Sequence, residues 1–99
     1  MKITKADSRQ GGGSLQGYLY ADEATITKAL GFAPERYFGD KVEIEWRANI
    51  EGVYVTIYDY KGEKDPFHIG GLNQSAVWAC KQLFGRFAVA ERERVRWMR

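Results

Sequence analysis

Apolar and polar residues alternate with a period of two along residues 42–61, which is the clearest structural signal in the chain. Every second residue from Val42 to Ile50 is apolar, and the alternation resumes from Val53 after a turn that contains Gly52. Alternation on both sides of a glycine-containing turn predicts a β-hairpin. The apolar residues then share one face of the hairpin, as burial requires.

The register of this hairpin depends on its turn, and a longer bulged turn would alter it. If Ile50 lies opposite Val53, Trp46 lies opposite Ile57 on the apolar face. The polar face then pairs Arg47 with Thr56, Glu45 with Tyr58 and Glu43 with Tyr60.

Two segments have helical character. Asp22 can cap a short helix over residues 23–30, and Gly31 is suited to end it. A second helix, capped by Asn73 or Ser75, carries Val77, Cys80, Leu83, Phe84 and Phe87 at helical spacing, with a break expected at Gly85. Short strands are predicted at residues 15–20 and 67–69. The aromatic loop at residues 32–40 is expected to cover the edge of the core.

The predicted order is β–α–β–β–β–α, which gives an α+β fold with an antiparallel sheet and its helices packed on one face. Residues 14–85 form the domain. Residues 1–13 include the run GGGS and are expected to be flexible or weakly ordered. Residues 86–99 are expected to extend the fold as a basic C-terminal helix.

Composition fits one small globular domain of 99 residues with 44% hydrophobic and 28% charged residues. The net charge of +2 is too small to indicate nucleic acid. The basic character is concentrated in residues 86–99, which carry five arginines and two glutamates. With one cysteine, no signal-like N-terminus and no stretch that could cross a membrane, we expect a cytoplasmic protein.

Candidate catalytic groups are few. His68 is the one histidine, and no motif places a nucleophile or a carboxylate beside it, so a structural role is favoured. One cysteine and one histidine do not make a usual zinc site, and Cys80 lies in the apolar stripe of a helix. Glu43 and Glu45 share a strand face, which is typical of a solvated surface. We therefore expect no enzyme, metal or cofactor.

Tyrosine supplies a large contact area at low entropic cost, and aromatic residues flanked by arginine are enriched in interfaces. The polar hairpin face, Trp78 and the C-terminal segment combine these features. The predicted partner-binding residues are Glu43, Glu45, Arg47, Tyr54, Tyr58, Tyr60, Trp78, Arg92, Arg94, Arg96 and Trp97. Tyr18 and Tyr20 are candidates to extend this tyrosine-rich face.

The sequence also resembles a group of small proteins encoded by phages and prophages. The shared segments are SLQGY (14–18), FG (38–39), DKV (40–42), EW (45–46), TIYDYK (56–61), HIGG (68–71) and AV (76–77). The resemblance covers residues 14–84 and carries no catalytic residues. It implies an accessory protein of an infected or lysogenic bacterium, of the kind that blocks host defences such as CRISPR by binding a host protein.

The order of elements also resembles that of the double-stranded RNA-binding domain. That fold begins its second helix with a lysine cluster, whereas residues 73–78 contain no lysine and Lys81 stands alone.

Three hypotheses remain. The first is an anti-CRISPR-like inhibitor that binds a host protein, such as a nucleic-acid-handling defence effector. The second is a nucleic-acid-binding module that uses residues 86–99. The third is a small-ligand or enzymatic pocket around His68. A homodimer formed through the tyrosine-rich face also remains open.

Overall fold

The computed structural model describes residues 1–7 and 13–92, which form an antiparallel sheet with two helices and thereby confirm the α+β class. The strands are β1 (Ile3–Lys5), β2 (Ser14–Leu19), β3 (Glu35–Arg36), β4 (Ile44–Ile50), β5 (Val53–Tyr60), β6 (Glu63–Gly71) and β7 (Val89–Glu91). The helices are α1 (Glu23–Leu30) and α2 (Ser75–Phe84), and a short 3-10 turn (Arg86–Ala88) precedes β7.

The described strands form one seven-stranded sheet in the order β1-β4-β5-β6-β2-β7. Strand β5 pairs with one edge of β4. On the other edge of β4, β1 pairs with Ala48 to Ile50 and β3 pairs with Ile44 and Glu45. All of the strand pairs are antiparallel.

The hairpin formed by β4 and β5 has the predicted register. Ile50 pairs with Val53 and Trp46 pairs with Ile57. On the polar face, Arg47 pairs with Thr56 and Glu45 pairs with Tyr58, also as predicted. The expected pairing of Glu43 with Tyr60 is absent from this ladder, because β4 begins only at Ile44.

Both helices contribute to one hydrophobic core with the apolar face of the hairpin. In α1, Ile26 and Leu30 are buried, and the Trp46 indole N–H donates to the Thr27 hydroxyl at 3.3 Å. The predicted caps of α1 are confirmed: Asp22 accepts the Thr25 N–H at 2.8 Å, and the chain turns left-handed at Gly31. The helices therefore cover the face that carries the large apolar side chains.

Helix α2 lies directly on the backbone of the sheet. Its buried residues include Ala76, Val77 and Cys80. A Cβ at Gly71 would lie 2.5 Å from the Ala76 Cβ, so the helix can approach β6 this closely only because residue 71 is glycine. The helix ends at Phe84, which confirms the break expected at Gly85.

Both ends of the chain differ from the expectation. Residues 1–13 were expected to be weakly ordered, yet Ile3–Lys5 form β1 because they have a free edge of β4 to pair with. Residues 86–99 were expected to be helical, yet the chain makes a 3-10 turn and then enters β7, which pairs with β2. Residues 8–12 and 93–99 lie outside the described part of the chain.

The aromatic loop also departs from the expectation. Phe32 packs against the core as expected. Tyr37 is exposed at its surface, and Phe38 is fully exposed to solvent. The loop therefore partly buries one of its three aromatic residues and presents the other two outward.

Asp59 is fully buried at the point where the hairpin ladder ends. Its Oδ1 accepts the backbone N–H of Glu43 at 2.9 Å and that of Ile44 at 3.0 Å. Its Oδ2 accepts no hydrogen bond from any described residue and lies 3.8 Å from the Lys64 ammonium group. The carboxylate therefore accepts the N–H groups that have no backbone partner in the β4–β5 pairing at this point, and it fixes the start of β4.

We predict that Asp59→Ala lowers the free energy of unfolding by about 2 to 4 kcal/mol, because the buried Ile44 N–H and the partly buried Glu43 N–H lose their acceptor. Asp59→Asn, which keeps one carbonyl oxygen, should cost less than half as much. Urea denaturation measures both values. Equal losses in the two variants would contradict the assigned role of the Oδ1 acceptor.

A tyrosine and histidine cluster on the open face of the sheet

The sheet face opposite the helices, here called the open face, carries a row of aromatic and charged residues. Glu45 on β4 pairs with Tyr58 on β5, Tyr58 with His68 on β6, and His68 with Tyr18 on β2. Paired residues in antiparallel strands project to the same side of a sheet. The row therefore crosses four neighbouring strands.

Three tyrosines surround His68 on this face. Its ring centroid lies 5.2 Å from that of Tyr18 in an edge-to-face arrangement and 5.4 Å from that of the tilted Tyr58 ring. Tyr60 stacks on it at 5.3 Å with an angle of 18° between the ring planes. These separations lie in the range of favourable aromatic pairs. We call Tyr18, Tyr58, Tyr60 and His68 the Tyr–His cluster, and all four are half-buried.

Gly70 makes space for this cluster. A Cβ at this position would lie 2.5 Å from the Thr56 hydroxyl oxygen and 3.2 Å from Cε1 of Tyr58. Any larger residue would displace one of these two side chains. Adjacent glycines on β6 therefore act on opposite faces: Gly71 admits α2, and Gly70 admits the Tyr58 ring.

A network of polar side chains borders the cluster on β4. The Arg47 guanidinium lies 2.8 Å from the Glu45 carboxylate and donates to the Tyr37 hydroxyl at 2.7 Å. The Tyr37 hydroxyl in turn donates to Glu45 at 3.3 Å. Burial raises the pKa of Tyr58, and the nearby Glu45 carboxylate raises it further, so this phenol stays protonated at neutral pH.

A cleft of about 480 Å³ adjoins this network, between β1 and β3 on the outer edge of β4. Lys5 pairs with Glu35 across it at 3.0 Å and also lies 6.0 Å from the centre of the Phe32 ring. Since Arg47 is likewise paired with Glu45, both basic groups of the cleft already have a carboxylate partner.

The reactive groups in and near this region are phenols, one imidazole and a buried thiol. The rings around His68 are phenols, which are poor nucleophiles at neutral pH. Burial raises the pKa of the Cys80 thiol to about 12, so this sulfur stays protonated. Within residues 1–7 and 13–92, no three His, Cys, Asp or Glu side chains are grouped so that they could hold a metal ion.

The predicted partner-binding residues do not all meet. Glu45, Arg47, Tyr58 and Tyr60 lie together on the open face. Tyr54 is only 9% exposed and offers little contact area, while Glu43 is exposed just before β4. Trp78 is 54% exposed but belongs to α2, on the other side of the sheet. The Arg92 backbone N–H donates to Gln16 at 2.8 Å, and Arg94, Arg96 and Trp97 lie outside the described residues.

Sequence reasoning assigned His68 to a structural role and did not place it on the tyrosine-rich face. The signal was present: Phe67 and Ile69 are apolar, so the residue between them projects from the opposite face of β6. The contribution of Tyr37 had no comparable local signal, because it depends on how its loop returns to β4.

Comparison with protein-family models, curated proteins and solved structures found no match to this chain. Among the described residues, neither α1 with eight residues nor α2 with ten is long enough to cross a membrane.

We predict that Gly70→Ala lowers the free energy of unfolding by about 1 to 3 kcal/mol and separates the Tyr58 and His68 rings. Nuclear Overhauser effects between these rings should weaken, and urea denaturation gives the energetic cost. Thr56→Ala removes one of the two side chains in the way, so Gly70→Ala should cost less in that background. An unchanged cost there would exclude the Thr56 contact as its cause.

Stability should also depend on the protonation of His68. Burial lowers the pKa of His68 below its ordinary value of 6.5, and the Glu63 carboxylate offsets part of this effect. The unfolded chain then binds the proton more tightly than the folded protein, so the free energy of unfolding falls as the pH decreases from about 6.5.

Urea midpoints measured between pH 7.5 and pH 5.5 test this dependence. Asp22 and Glu35 do not confound the experiment, because the pKa of each is lowered from an ordinary value below 5 by its hydrogen-bond partner. His68→Gln should flatten the profile in this range. If the slope of the variant equals that of the wild type, His68 is not its source.

Proposed function

We propose that this protein acts by binding another protein through the open face of its sheet, with the Tyr–His cluster as the centre of the contact. The observation that supports this most directly is the row from Glu45 to Tyr18, which no helix of the described chain covers. The open face carries tyrosine, histidine and arginine side chains, whereas the helix-covered face carries mainly aliphatic ones. This composition is typical of the central part of protein interfaces.

The hydroxyl groups of the cluster favour the same role. Within the described residues, Tyr18, Tyr58 and Tyr60 make no side-chain hydrogen bond to another residue. Each phenol therefore keeps its donor and its acceptor for water or for a partner. Fixed rings with unpaired hydroxyls give contact area and directional hydrogen bonds without much loss of side-chain entropy.

The resemblance of residues 14–84 to small phage-encoded proteins supports a bacterial host protein as the partner. On this proposal the chain is a non-enzymatic accessory protein that inhibits a host defence protein in the cytoplasm, as anti-CRISPR proteins do. A nucleic-acid-handling effector is the partner class that we favour. The resemblance supports this class of partner, and the geometry of the open face supports the binding surface.

The proposal predicts that capture of a partner from bacterial lysate depends on the open face. The double variant Tyr18→Ser/Tyr60→Ser should weaken retention of any specifically captured protein by at least about tenfold, because it removes two central aromatic rings. Phe87→Ser is the matched control, since Phe87 is 91% exposed and lies in the 3-10 turn, outside the sheet. Quantitative mass spectrometry of the captured proteins measures retention, and circular dichroism confirms that each variant folds.

A second pair of measurements separates the alternatives. If Trp78→Ser abolishes capture and the double variant does not, the partner binds on the helix side and the proposal is wrong. Steeply salt-dependent binding of duplex or single-stranded nucleic acid by the full chain, with no protein captured, would also contradict it.

A further inference from the structure

A cation already contacts the Tyr–His cluster in the free protein. The ammonium group of Lys61 lies 5.5 Å from the centre of the Tyr60 ring, within the range of a cation–π interaction. Lys61 is exposed and follows directly after β5, in the turn that leads to β6.

Two carboxylates lie close to rings of the Tyr–His cluster. Glu45 is close enough to the Tyr58 phenol to raise its pKa, and Glu63 is close enough to His68 to act on its pKa in the same direction. Glu45 is shared with Arg47, whereas the Glu63 side chain forms no ion pair within the described residues. Aromatic π faces beside an unpaired carboxylate favour a positively charged group.

We propose that the Tyr–His cluster binds a cationic side chain of the partner, above all an arginine guanidinium, and that Lys61 occupies its place in the free protein. This inference rests on the proposed function and adds the chemistry of the partner. Arginine fits better than lysine because its planar, weakly hydrated guanidinium stacks on aromatic rings and donates to phenol and carboxylate oxygens together.

The same charges disfavour a nucleic acid on this face. A phosphate backbone that crossed the cluster would approach the carboxylates of Glu63 and Glu45. The Arg47 guanidinium is already engaged by Glu45 and Tyr37, so Lys61 offers a single ammonium group against them. Stacking of bases on Tyr18 and Tyr60 would be opposed by this repulsion.

Protonation of His68 is coupled to this binding. The groups that face the imidazole are Tyr18 from β2, Tyr58 and Tyr60 from β5, and Glu63 from its own strand. A charged imidazolium would repel the incoming guanidinium, so neutral His68 is the form that binds. By linkage, a bound guanidinium must lower the pKa of His68 further.

A defined probe tests the inference without knowledge of the partner. The probe is the peptide acetyl-Gly-Arg-Gly-Arg-Gly-amide, and its control has citrulline, the neutral isostere of arginine, at both positions. Titration into the full chain is followed by NMR on the ring protons of the cluster. We expect the arginine peptide to shift these signals and to bind at least about fivefold more tightly than the citrulline peptide, in line with a partly exposed cation–π contact.

Variants of the cluster should move this affinity in opposite directions. Tyr60→Leu and Glu63→Gln should each weaken binding of the arginine peptide, whereas their controls Phe87→Leu, in the exposed 3-10 turn, and Glu23→Gln should not. Lys61→Asn should strengthen it, because the competing ammonium group is removed; asparagine also tolerates the positive φ of 52° at this position. Affinity should fall between pH 7.5 and pH 5.5, and the peptide should lower the pKa read from the His68 ring signals.

Equal binding of the two peptides, or weaker binding by Lys61→Asn, would overturn the inference. So would a peptide-bound state in which the pKa of His68 rises. The proposed function has a separate test: if lysate capture depends on the cluster while the arginine peptide fails, the open face is an interface for a partner of different chemistry. If the peptide binds as expected and capture does not depend on the cluster, the proposed function fails alone.

Discussion

In the described part of the chain, the two short helices bury one face of the seven-stranded sheet. The strict alternation along β4 and β5 decides which face this is, because it sends Trp46, Ile57 and their neighbours to one side and Glu45, Tyr58 and their neighbours to the other. A shift of one residue in the register would exchange the two sets. The position of the core, the packing of both helices and the composition of the open face all depend on this one constraint.

Asp59 shows how the fold ends the alternation without losing the register. By parity it belongs to the apolar face, and a buried carboxylate there is costly unless backbone groups satisfy it. Glu43 and Ile44 supply two such groups. The irregularity between Tyr58 and Tyr60 in the pairing of β5 with β6 lies around the same residue. Tyr60 nevertheless stacks on His68, so the cluster extends beyond the regular part of the ladder.

The sequence predicts those parts of the structure that rest on local patterns. The hairpin register, the caps of α1 and the break at Gly85 all follow from residues close together in the chain. The three-residue strands β1 and β7 are too short to leave a periodic signal, and they form because neighbouring strands offer free edges. Residues 86–91 therefore form a 3-10 turn and a strand, although their apolar residues have helical spacing.

The candidate site was predicted in part for the same reason. Alternation alone brings Tyr58 and Glu45 to one face. The addition of His68 and Tyr18 requires the order of β5, β6 and β2 in the sheet, which no short segment encodes.

The row from Glu45 to Tyr18 takes one residue from each of four strands. Three of them, β4, β5 and β6, are consecutive in the chain, and β2 comes from a distant part of it. A linear peptide that copies the β4–β5 hairpin would lack the imidazole and one of the phenols, and an isolated two-stranded ribbon is marginally stable in water. A mimic of this surface must therefore contain β2 as well as β4, β5 and β6. Antibodies raised against denatured protein would miss it for the same reason.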